Sequence, residues 1–60
     1  MTETKVKAIK EYYEMQYELI KLALVCAAEN KNTKLASDLA NSLIHLENFV
    51  NEMLDVAKSN

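Results

Sequence analysis

The sequence predicts an all-α fold: an antiparallel hairpin of two long helices that self-associates into a four-helix bundle. Three observations carry this expectation. The 60 residues contain no Gly and no Pro, so no residue breaks a helix outright. Apolar residues recur at three- and four-residue spacing through two long stretches, with one polar cluster between them. The first stretch carries more apolar surface than a single neighbouring helix covers.

The first helix is expected from about residue 3 to 29. Thr2 or Thr4 can cap it through a hydroxyl that accepts a free backbone N–H. Glu3 places a negative charge in the first turn, where the helix dipole favours it. Glu3 and Lys7 have the favourable i,i+4 order. Residues 30–33, Asn-Lys-Asn-Thr, form the turn. Asn tolerates the left-handed conformation, so Asn30 can end the first helix as Gly usually does. Asn32 or Thr33 can cap the second helix. A connection this short makes the helices antiparallel neighbours.

The second helix is expected from about residue 34 to 58. Ala36, Leu39, Leu43, Leu46, Val50, Met53 and Ala57 alternate by three and four, a coiled-coil seam. Leu35, Ile44, Phe49 and Leu54 widen it. Lys58 suits the C-terminal end of the dipole.

The apolar arc of the first helix spans roughly 220° at 100° per residue and resolves into two stripes. Val6, Ile9, Tyr13, Gln16, Ile20, Ala23 and Ala27 match the seam of the second helix layer by layer. Tyr12, Met15, Leu19, Leu22 and Cys26 remain without a partner inside the hairpin. The same stripe on a second copy covers them at least cost, since two-fold dimers are the commonest assemblies. A homodimer is therefore expected, and a different protein docking on the same stripe is the competing account.

Size points the same way. A 60-residue chain forms one domain, spanning residues 1–60, and buries only about 60% of its unfolded surface. Small domains are stabilised by disulfides, metals or association. One Cys and one His exclude an intrachain disulfide and a conventional zinc site. No cofactor is expected, because a phosphate loop needs Gly and no Glu-x-x-His pair of the di-iron type occurs. The net charge of −2 gives no polyanion-binding balance. The polar, charged N-terminus does not read as a signal peptide. No uncharged run approaches the roughly 20 residues that span a bilayer. A lone Cys suits a reducing compartment, so a cytoplasmic location away from membranes is expected.

Several side chains are candidates for function. Gln16 interrupts an apolar seam, either as a register device or at an edge that reaches water. Cys26 on the second stripe reads as a small buried hydrophobe. Tyr13 and Tyr17 at the margin of the arc, and Asn41, His45, Asn48 and Glu52 on the polar side of the second helix, offer two partner surfaces; ordinary packing and solvation are the favoured account of both. Lys5, Lys7, Lys10 and Lys58 gather at the open end of the hairpin. Glu3, Glu11, Glu14 and Asp55 dilute them, and the chain has no Arg for bidentate contacts, so nucleic acid is an unfavoured partner.

No nucleophile and base are held together by these spacings, so an enzyme is not expected. The expected function is that of a small protein–protein interaction module, a regulator or inhibitor of a larger protein. The alternatives are a nucleic-acid-binding dimer using the basic end and a structural tethering piece. The Lys- and Asn-rich, Arg-free composition fits an AT-rich bacterial or phage genome.

Overall fold

A computed structural model describes residues 2–59. Two helices make up the fold, α1 over Thr2–Glu29 and α2 over Thr33–Ser59. No strand occurs among the described residues. Both helices start or end within one residue of the expected limits. Thr2 and Thr4 lie inside the first turn of α1 with Glu3, so neither is the cap; the preceding residue lies outside the described range.

The turn differs from expectation in one respect. The left-handed residue is Lys31, with φ 55°, not Asn30. The reason is the hydrogen-bond closure at the helix end. Asn32 N–H donates to the Ala27 carbonyl at 2.9 Å and Lys31 N–H to the Ala28 carbonyl at 3.0 Å. These two bonds are the Schellman pattern, which fixes the left-handed residue two positions after the last regular one. Asn30 serves differently: its Nδ2 donates to the Cys26 carbonyl at 2.8 Å. Asn32 then caps α2, its Oδ1 accepting from the Leu35 N–H at 3.1 Å. Lys34 and Asp38 pair at 2.9 Å across the first turn of α2, an exposed i,i+4 bridge worth only a few tenths of a kcal/mol.

Burial follows the seam. In α1 the residues that are not exposed are Val6, Ile9, Tyr13, Gln16, Ile20, Ala23, Leu24 and Ala27. In α2 they are Ala36, Leu39, Leu43, Leu46, Val50, Met53, Leu54 and Ala57. These are the two facing stripes plus Leu24 and Leu54 at their edge. Gln16 lies half-buried in the seam, and no buried polar side-chain atom among the described residues lacks a partner.

The core is thin. Among the described residues only Ala27, Leu46, Val50 and Ala57 are buried, and no large side chain is fully covered. The Cα trace measures 45 × 15 × 6 Å, one helix thick, whereas stable domains stack at least two layers. The chain exposes 4768 Å². A compact monomer of 6.8 kDa exposes roughly 3,950 Å² by the surface–mass relation. The hairpin therefore leaves about 800 Å² more in water than its mass requires.

Candidate association surface

The seam divides the flat hairpin into two broad sides. In an antiparallel pair, residues one position before a seam residue point to the same side from both helices. A groove confirms the sorting: Lys5 and Ala8 of α1 line it with Phe49, Glu52 and Val56 of α2, over a floor of Ile9, Met53 and Ala57. Residues one position after the seam form the other side. There Lys10, Glu47, Asn51 and Leu54 share a groove with Tyr13 and Val50.

The two sides differ in chemistry. The first carries Tyr12, Met15, Leu19, Leu22 and Cys26 from α1, all exposed, with Met15 63% and Leu22 59% accessible. Leu35, Phe49 and Val56 join them from α2, also exposed, with Asp38, Ser42, His45 and Glu52 at the equivalent positions between them. The stripe left over in the sequence is thus the apolar half of a two-helix side whose α2 half is mixed. Leu35 and Phe49 read in the sequence only as a widening of the α2 seam, and Val56 does not stand out there; recognising their side takes both helices of the antiparallel pair together. The opposite side carries Lys7, Lys10, Glu14, Lys21, Glu47 and Lys58 at the equivalent positions, with Ile44 as its most exposed large hydrophobe.

The remaining candidates separate. Tyr13 and Tyr17 lie together, ring centroids 5.8 Å apart and tilted by 47°, at the margin of the charged side. Burial, the Glu47 carboxylate and the neighbouring Tyr17 push the Tyr13 hydroxyl above its ordinary value of 10.0. His45 stacks on Phe49 with ring centroids 6.4 Å apart and planes within 4°. That contact joins His45, and Glu52 one turn further, to the apolar side. Asn41 and Asn48 are exposed on the outer edge of α2. The structure therefore brings Tyr13 to Tyr17 and His45 to Phe49, but not one pair to the other.

The lysines do not form one patch. Lys5 lines the groove on the apolar side and Lys10 the groove on the other. Lys7 lies on the same side as Lys10, and the two line a surface with Glu3, Glu11 and Glu14. Each basic group thus has a carboxylate beside it. Lys58 ends α2 at the same end of the hairpin.

Chemistry-bearing groups are scattered. No three His, Cys, Asp or Glu side chains among the described residues are grouped to hold a metal ion. Cys26 is exposed near the turn, and His45 lies on the order of 12 Å away along the helix axes, at 1.5 Å per residue. No described helix is long and apolar enough to cross a membrane. No protein-family model, curated protein or solved structure matches the chain.

Proposed function

We propose that this chain is a non-catalytic protein–protein interaction module that works as a homodimeric four-helix bundle and regulates or inhibits a larger protein. One observation carries the reading: a single-layer hairpin leaves the apolar stripe of α1 uncovered, with Leu35, Phe49 and Val56 of α2 beside it. The excess of about 800 Å² per chain equals the area each partner contributes to a standard stable interface. The broad side measures about 700 Å² in projection between Cα positions, the same scale. A second copy removes both excesses at once and supplies the missing layer. Isologous pairing needs no other molecule to have evolved the complementary face.

Regulation of a larger protein then falls to what stays outside the bundle. The side with the Tyr13–Tyr17 pair and the Lys10–Glu47 groove is the broadest such surface. Its tyrosines offer contact area with a polar tip, the composition enriched at interfaces. Sedimentation equilibrium tests the dimer; a fully helical monomer at micromolar concentration refutes it. A gel shift with a steep salt slope would instead assign the chain to nucleic acid, because phosphate contacts release counterions.

A further inference from the structure

The apolar stripe of α1 has an order within it that determines how two copies meet. Extended to both ends at the same three-four spacing, it reads Lys5, Ala8, Tyr12, Met15, Leu19, Leu22, Cys26, Glu29. A cation closes one end and an anion the other, and every position between them is small or apolar. The series is also balanced about its middle. Lys5 and Glu29, Ala8 and Cys26, Tyr12 and Leu22, and Met15 and Leu19 are each equidistant from Tyr17. All eight are exposed in the hairpin.

We infer that two copies pack α1 against α1 antiparallel, about a two-fold axis at the level of Tyr17, with Lys5 of each copy paired to Glu29 of the other. The inference rests on the dimeric reading and adds the orientation. Antiparallel packing sets small against small at Ala8 and Cys26, where the backbones come closest. It sets the large Tyr12 against Leu22, and Met15 against Leu19 beside the axis. Each end closes on an opposite charge. Parallel packing in register sets Lys5 on Lys5 and Glu29 on Glu29 instead, and like charges across a coiled-coil interface select against that pairing. Near the axis the two Glu18 carboxylates approach each other, and each is already bridged to Lys21 of its own helix at 3.5 Å. Leu35 and Phe49 of α2 lie on the same side and flank the contact, completing the second layer.

Cysteine crosslinking tests the orientation. Residues 8 and 26 of one helix are separated by about 27 Å at 1.5 Å per residue. A disulfide needs Cα atoms about 4.4–6.8 Å apart, so a bridge between them forms only between copies. The single variant Ala8→Cys, oxidised mildly with Cys26 in place, is expected to give a covalent dimer. Peptide mapping then finds residue 8 joined to residue 26. The unaltered protein, whose two Cys26 residues lie about 27 Å apart in this arrangement, is expected to form no bridge within the dimer. A dimer that yields no 8–26 bridge, or a Cys26–Cys26 bridge at a rate independent of protein concentration, overturns the orientation and leaves the dimer standing. A monomer in sedimentation equilibrium overturns both. Should Ala8→Cys lose its helicity, charge reversal decides. Lys5→Glu alone should weaken the dimer about 2- to 30-fold for two exposed pairs, and Lys5→Glu with Glu29→Lys should restore it. Failure of the double variant to recover overturns the pairing.

Discussion

Leu19 and Ile44 form a matched pair for testing which side of the hairpin is covered. Leu19 is 56% exposed and Ile44 60% exposed. A change to Glu at either site therefore disturbs the isolated hairpin about equally. They differ in side: Leu19 lies on the apolar face, and Ile44 shares its heptad stripe with Glu47, Asn51 and Leu54 on the charged one. Burying a whole Leu side chain is worth about 1.5–3 kcal/mol. The part of Leu19 still exposed then contributes about 0.8–1.7 kcal/mol to each copy's association. The two-fold counts it twice, giving about 1.7–3.4 kcal/mol per dimer, or roughly 15- to 250-fold in Kd. Leu19→Glu loses at least that, because a buried carboxylate adds its own desolvation cost. Sedimentation equilibrium at several loading concentrations reads the change, with circular dichroism on the same samples. Ile44→Glu should leave Kd within about twofold, as surface changes away from an interface do. The reasoning fails if Leu19→Glu leaves the dimer as tight as before, or if Ile44→Glu loosens it as much.

Three further outcomes follow from the hairpin itself. Lys31→Gly should raise stability by about 0.5–1 kcal/mol, since the left-handed penalty of 1–2 kcal/mol exceeds the unfolded-state entropy that Gly adds; thermal melts should show a gain of a few degrees, and Lys31→Val a loss. Leu46→Ala, at a buried seam position, should cost about 2–3 kcal/mol, read as a lower denaturation midpoint with an unchanged far-ultraviolet spectrum in the absence of denaturant. Tyr13 should titrate above 10.0 in ultraviolet difference spectra, and Tyr13→Phe should remove that component. The raised value makes the folded form hold its proton longer than the unfolded chain. That contribution to stability is full below pH 10 and is lost as pH rises through the folded value.

The seam was fully legible because it depends on period alone. With no Gly or Pro to shift the phase, each apolar position in α2 could be assigned from its neighbours, and the burial of Ala36 through Ala57 follows that phase. The turn was legible in place but not in detail. Residue preference favours Asn over Lys for the left-handed site, yet the position is set by which carbonyls the Asn32 and Lys31 amides reach. His45 shows the limit of a helical wheel. Its place near Asn41 and Asn48 reads as polar surface, but it sits on the flank facing Tyr12 and stacks on Phe49 one turn away. Which flank of α2 joins which flank of α1 follows once two right-handed helices are set antiparallel, a step that the wheel of a single helix leaves out.

Size makes the uncovered face more than an available surface. Four buried residues are a slender return for fixing a 60-residue backbone, at about 1–2 kcal/mol of conformational entropy per residue. In the proposed dimer, folding of the hairpin and association are then coupled, as in dimers that have no stable folded monomer. Thermal midpoints should accordingly rise with protein concentration, while those of a self-sufficient hairpin would not. The same coupling assigns roles to the two sides. In the proposed dimer the apolar side would be committed to folding and could not exchange occupants without unfolding the chain. Under the proposed function, recognition of another protein would therefore fall to the charged side and the outer edges, where Tyr17, Lys21 and Glu47 are exposed. Substitutions there should alter partner binding without moving the thermal midpoint. Substitutions at Tyr12, Met15 or Leu22 should move both together.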